Sequence, residues 1–100
     1  MNKMKSHNYL IGKRFFVEED NGDKYIIKIV RIHYGNDLRN SYGFWKVIKI
    51  FNNARVSLNH SGYNWYLTSL FKGNKPSHVK ELIELHTEKE LKNCIIMESL

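Results

Sequence analysis

The 100-residue sequence has one cysteine and no long apolar run, and each scarcity excludes a class of protein. Cys94 has no second cysteine with which to form an internal disulfide, so the chain is not a disulfide scaffold. The longest purely apolar runs have two to four residues, far short of the roughly 20 that span a bilayer. The charged N-terminus, residues 1–5, precedes no apolar signal segment. We therefore expect a cytoplasmic protein.

Motifs for catalysis, cofactor binding and metal binding are also missing. The sequence has no glycine-rich phosphate loop, nucleophile elbow or paired acid and base. Four of its acids cluster at residues 18–23, around a turn sequence, where carboxylates typically serve solvation and turn formation. The five histidines show no ligand spacing with a cysteine pair. We expect no enzyme activity, no cofactor and no metal.

Positive charge and aromatic rings are concentrated between residues 24 and 75, a stretch that we call the basic block. It holds nine Lys or Arg residues, one acid (Asp37) and ten of the 13 aromatic residues. Basic and aromatic side chains interleaved on a sheet are typical of nucleic-acid-binding surfaces. A second interpretation stays open, because lysines also keep edge strands soluble and aromatic rings also form the core of small β domains.

The first half of the chain has the pattern of a β-hairpin followed by a long strand. Residues 11–19 predict a first strand, and Asn21-Gly22 predicts a tight type I′ turn that sets Glu19 opposite Lys24. The second strand, residues 24–34, changes the phase of its apolar alternation at Ile29-Val30. A phase change of this kind predicts a bulge or a strong bend.

Further short strands follow, separated by turn sequences. Residues 35–43 are a loop by composition, and the turn residues Asn, Gly and Ser recur at 52–53 and 60–62. We predict three more strands, at residues 44–51, 54–59 and 63–67. A short helical turn would follow at residues 68–71.

The last quarter of the chain is acidic, with five glutamates and three lysines after residue 76. Val79, Leu82, Ile83 and His86 have helical spacing, which favours a helix over residues 78–85, although a last strand remains an alternative. Thr87 to Glu90 has the capping-box pattern, which predicts a helix from Glu88. Its buried face would contain Leu91, Cys94 and Ile95.

These patterns together predict a mainly β (α+β) fold. We expect a small, strongly bent antiparallel sheet of about five strands, an SH3-like or OB-like partial barrel, with a C-terminal helix. Residues 1–9 would form a flexible arm and residues 10–75 a basic β-domain. Residues 76–100 would form an acidic helical segment that packs on the same domain.

The function that the composition favours is a small, non-enzymatic, nucleic-acid-associated binding module with a regulatory role, for DNA or RNA. Two of the three rings of Trp45, Trp65 and Tyr66 are expected to be buried. The loop around residues 35–43 would contact a partner through Tyr34, Arg39 and Tyr42. The candidate phosphate ligands are Lys24, Lys28, Arg31, Lys46, Lys49 and Arg55, and the candidate stacking residues are Trp45 and Tyr66.

The alternative function is an inhibitor protein from a phage or mobile element. Alanine occurs once, at Ala54, whereas Lys, Asn and Ile, whose codons are AT-rich, are abundant. This bias indicates an AT-rich genome, such as that of a low-GC bacterium or its phage. Small size and the lack of an active site then suit an anti-CRISPR or another inhibitor of host machinery. Such a protein would bind a nucleic-acid-processing protein complex.

Overall fold

The computed structural model describes residues 6–51, 63–71 and 73–100, with Tyr63 described by its backbone only. Two single-turn 3-10 helices lie at Asn8–Leu10 and Leu38–Asn40. The α-helices are α1 (Leu67–Phe71) and α2 (Glu88–Glu98). The strands are β1 (Arg14–Glu19), β2 (Lys24–His33), β3 (Tyr42–Phe51), β4 (Tyr63–Tyr66) and β5 (Val79–Leu85).

The five strands form one antiparallel sheet in the order β4-β3-β2-β1-β5. From β1 to β4 each described strand is a neighbour of the next, and β5 pairs with β1 on its other side. The sheet curls into a half-barrel, so the predicted mainly β fold with a bent sheet and a C-terminal helix is confirmed. Its strand order resembles the SH3-like alternative. The predicted strand at 54–59 and the turns beside it lie outside the described residues.

The segment Val79–Leu85 is a strand, so the helix favoured by its apolar spacing is wrong. The register along β1 shifts between Glu18 and Glu19, which places a bulge in the pairing. Val79 and Leu82 therefore reach the same side of the sheet although they are three residues apart, a step that imitates helical periodicity. Pairing with β1 also satisfies backbone groups that would otherwise lie on a free edge.

The hairpin between β1 and β2 forms where the sequence predicts it, with a different turn and register. Glu18, not Glu19, lies opposite Lys24. The Gly22 N–H donates to the Glu19 carbonyl (2.9 Å) and the Glu19 N–H to the Asp23 carbonyl (2.8 Å), so the loop has three residues. Gly22 has a φ of +92°, as a three-residue loop that ends in a glycine bulge requires. The predicted two-residue turn is thus corrected.

The register change predicted in β2 is confirmed. The pairing of β2 with β3 shifts between Ile29 and Arg31, which leaves Val30 as the bulged residue. A second shift lies between Ile26 and Ile27. These two irregularities bend the long central hairpin and help the sheet to curl.

The sheet has an apolar cluster on each side. The larger one fills the inner, concave side, and its fully buried members include Val17, Ile27 and Ile29. On the opposite side, which we call the outer face, Phe16, Ile26, Phe51 and Leu85 form a smaller cluster. Helix α2 packs on this smaller cluster through the three residues predicted from its sequence, Leu91, Cys94 and Ile95.

The predicted flexible arm is shorter than residues 1–9. His7 is only 8% exposed, and its ring stacks on Phe71 at 4.6 Å between ring centroids. The backbone N–H of His7 donates to the Tyr34 hydroxyl (2.8 Å). The chain therefore joins the fold from His7 onward, and residues 1–5 lie outside the described part. Among the described residues, neither helix has the length and apolar character needed to cross a bilayer.

Candidate nucleic-acid interface

Helix α2 covers only one part of the outer face. It is held at its two ends by ion pairs, from Arg14 to Glu88 (2.5 Å) and from Lys24 to Glu98 (3.2 Å). Between these ends it covers the apolar cluster of Phe16 and Phe51. The rest of the outer face, toward β4, is formed by the ends of β2 and β3 that α2 does not reach.

Three cationic side chains form one row across the outer face. The row lies at the boundary between the part that α2 covers and the part that it leaves uncovered. Arg14, Lys28 and Lys46 are direct register partners on β1, β2 and β3, so their side chains point to the same side. Arg14 is neutralised by Glu88. Lys28 and Lys46 are exposed, and neither forms an ion pair with any residue in the described part of the chain. Two like charges thus face each other without compensation.

This arrangement costs stability, since like charges directly opposite on neighbouring strands repel. Protection of a sheet edge does not explain it, because β2 and β3 are interior strands of the sheet. Edge protection therefore does not account for the Lys28–Lys46 pair.

Aromatic rings continue the same surface toward β4. The Arg31 guanidinium lies over the Phe44 ring, 4.1 Å from its centroid. Tyr42 lies opposite Tyr66, and their rings stack at 4.9 Å. A hydrogen bond with Tyr66 raises the pKa of Tyr42 above its usual value, and the charge of Tyr66 and burial act in the same direction. The Tyr42 hydroxyl therefore holds its proton more tightly than that of an ordinary tyrosine.

We call this surface the outer patch. Alternation along the strands and the register between them place all its members on one face. None of its members is acidic. It consists of Lys28, Arg31, His33, Tyr42, Phe44, Lys46, Asn64 and Tyr66.

A pocket of about 230 Å³ opens at the end of the outer patch, beside β4, which is the last strand of the sheet among the described residues. Most of its wall is aromatic or apolar, and among the described residues none that lines it is charged. It is smaller than the roughly 300–1,000 Å³ of sites for drug-sized ligands. The lining residues are Tyr42, Asn64, Trp65, Tyr66, Ser69 and Pro76.

Several predicted site residues do lie together in this region. Lys28, Arg31, Lys46 and Tyr66 belong to the outer patch, and Tyr66 is 50% exposed. Tyr42, expected in a partner-binding loop, instead lies on β3 beside them. Lys49 is exposed on the same face, opposite Ile26, and its ammonium lies 6.0 Å from the centroid of the Phe51 ring.

Other predicted site residues have structural roles. Trp45 is 4% exposed and packs against Trp65 in the inner core, so it cannot stack on a base. Lys24 is held by Glu98, and the Tyr34 hydroxyl anchors the chain at His7 and Asn8. Two of the three rings of Trp45, Trp65 and Tyr66 are buried, as predicted.

The two remaining predicted site residues are Arg39 and Arg55. Arg39 is largely exposed in its loop and pairs with Asp37 at 3.3 Å, so its positive charge is partly compensated. Arg55 lies outside the described residues.

Sequence reasoning missed Phe44, His33 and Asn64 as members of the surface. Phe44 alternates with Trp45 along β3, so it shares a face with Tyr42 and Lys46. That signal was present in the sequence. His33 and Asn64 join the patch through pairing with β3, which the sequence does not show.

Comparison with protein-family models, with curated proteins and with solved structures gives no match for this chain. Within residues 6–51, 63–71 and 73–100, no three His, Cys, Asp or Glu side chains lie together as a metal site requires.

Proposed function

We propose that the protein is a small, cytoplasmic, non-enzymatic module that binds nucleic acid through the outer patch. The observation that carries this proposal is the uncompensated pair of Lys28 and Lys46 on interior strands, within a patch that contains no carboxylate. Each lysine that contacts a phosphate releases condensed counterions, which favours binding at low salt. The sequence as a whole also carries a net charge of +6, which attracts a polyanion over a longer range.

The outer patch offers two kinds of contact to such a ligand. Lys28, Lys46 and Arg31 supply positive charge, and Arg31 is held in place by the ring of Phe44. Tyr66 supplies a half-exposed aromatic ring at the other end. Phosphate contacts together with ring contacts are the combination that nucleic-acid-binding surfaces use.

The test is a titration of labelled oligonucleotides with the protein over a range of salt concentrations. The double variant Lys28→Ala/Lys46→Ala should bind more weakly and show a smaller salt dependence. Loss of two phosphate contacts should reduce the slope of log K against log salt by about 1.4 to 1.8. The variant should be at least as stable as the parent protein, because it removes a like-charge contact.

The matched control is Lys89→Ala/Lys92→Ala, which changes the net charge equally at two exposed positions on α2. If the control weakens binding as much as the test variant does, overall charge and not the outer patch determines affinity. If the parent protein binds no oligonucleotide at low salt, the proposal is wrong. In that case, a protein partner recovered from nuclease-treated lysate would support the inhibitor alternative.

A further inference from the structure

The pocket beside β4 adjoins the outer patch, and it adds a feature that phosphate binding does not need. Tyr42, Asn64 and Tyr66 belong to both the pocket and the patch. A ligand that lies along the patch therefore reaches the pocket without a break.

The pocket has the chemistry of a site for a flat, uncharged, partly polar group. Its rings are those of Tyr42, Tyr66 and Trp65, and Pro76 adds an apolar wall. The Asn64 amide and the Ser69 hydroxyl can donate and accept hydrogen bonds. A nucleobase matches this chemistry, because it combines a π-face with hydrogen-bonding edges.

The distance between the pocket and the lysine pair suits one strand of nucleic acid. Tyr42 and Lys46 are four residues apart on β3, which is about 13 Å at the rise of a β-strand. A stacked strand covers this distance with about four nucleotides, at 3.4 Å each. One base can thus occupy the pocket while phosphates of the same strand contact Lys28 and Lys46.

We propose that the ligand is single-stranded nucleic acid, with one unpaired base held in the pocket beside Tyr66 and its phosphates on the outer patch. A duplex cannot meet this geometry unless a base leaves the stack, because its bases are paired and stacked inside the helix. This inference rests on the proposed function and narrows its ligand from nucleic acid in general to unpaired strands.

The experiment compares four ligands of the same length, about ten nucleotides, within the site sizes of single-strand binders. They are a DNA strand, an RNA strand, a DNA duplex, and a DNA strand of abasic sugar phosphates, which keeps the charge and lacks the bases. The three that contain bases share one sequence. Base stacking should make the intact DNA strand bind roughly 5- to 150-fold more tightly than the abasic strand. The duplex should also bind more weakly than the single strand. Tighter binding of the DNA strand than of the RNA strand, or the reverse, would identify which of the two nucleic acids is the ligand. Either preference would support the inference.

The variant Tyr66→Ala should lose affinity for the single strand by a similar factor and leave duplex binding unchanged, whereas Tyr66→Phe should keep most of the affinity. Circular dichroism checks that both variants fold, and Asn64→Ala provides a second change in the pocket wall. Equal affinity for single strand, duplex and abasic strand would overturn the inference. If the three affinities were equal but Lys28→Ala/Lys46→Ala still weakened binding, the proposed function would stand and only the inference about an unpaired base would be lost. Absence of binding to all four ligands would overturn both.

Discussion

Gly35 is a single residue at which the fold leaves no room for a side chain. A Cβ atom at this position would lie 2.2 Å from the backbone carbonyl oxygen of Asn40. The Gly35 N–H also donates to the hydroxyl of the buried Ser41 (3.0 Å). The loop before β3 can therefore close on itself only if residue 35 is glycine or the backbone moves.

We expect Gly35→Ala to destabilise the protein by about 1–3 kcal/mol, the usual range for an added methyl group in a closely packed site. Urea unfolding measures the loss as a lower midpoint. Asn36→Ala, at the exposed neighbouring position, is the control and should have a small effect. Equal unfolding midpoints for parent and Gly35→Ala would contradict the close contact.

At the scale of elements, hydrogen bonds at the N-terminus of α2 determine where the helix begins, and packing on the sheet determines where it lies. The Thr87 hydroxyl accepts a hydrogen bond from the Glu90 N–H (3.0 Å), and the Glu90 carboxylate accepts one from the His86 N–H (2.6 Å). These bonds satisfy backbone donors that a helix start otherwise leaves open. None of the side chains of α2 is fully buried, so such end contacts matter for its stability.

We expect Thr87→Ala to reduce stability by about 1 kcal/mol, within the range of 0.5–2 kcal/mol for loss of a helix cap. Thr87→Ser keeps the hydroxyl and should behave like the parent protein. Circular dichroism during thermal unfolding measures both variants. The role of the cap is disproved if the serine and alanine variants lose equal stability.

At the scale of the whole molecule, stability is distributed unevenly over the two faces of the sheet. The inner cluster contains many fully buried side chains, whereas the outer cluster is closed by α2 with half-buried ones. The ion pairs that hold α2 involve partly exposed side chains, so each contributes little. We therefore expect α2 to detach at a lower free energy than global unfolding requires.

Cys94, the single thiol, lies on the side of α2 that packs on the sheet, and its exposure reports this opening. Burial, and next the charge of Glu98, raises the pKa of the Cys94 thiol above its usual value near 9. The native state thus holds this proton more tightly than the unfolded state, so its stability contribution is present below pH 9 and falls as pH rises through the native pKa. Labelling by a thiol reagent should be slow at neutral pH and faster at higher pH.

The decisive measurement is the dependence of this labelling on urea. If α2 opens locally, the rate at low urea should change little with denaturant, because little surface is exposed. A rate that follows global unfolding over the whole urea range would show that α2 and the sheet open together.

Local chemistry made part of this fold predictable. The alternation and its phase change indicated β2 with its bulge at Val30, and the Thr87 cap indicated the start of α2. Signals of this kind depend on neighbouring residues, so they can be read along the chain. The basic and aromatic composition of the basic block predicts Lys28, Lys46 and Tyr66 as site residues, and the structure places all three on the surface.

Only the tertiary structure decided which residues meet. Pairing with β1 made Val79–Leu85 a strand, since the energy of a sheet comes from partners distant in sequence. Alternation defines two faces for a strand but does not say which part of a face another element covers. The docking of α2 neutralised Lys24, and the inner core enclosed Trp45, while Lys28 and Lys46 stayed uncovered. The sequence by itself determined a basic, aromatic β domain, and long-range packing decided which of those charges and rings remain available to a ligand.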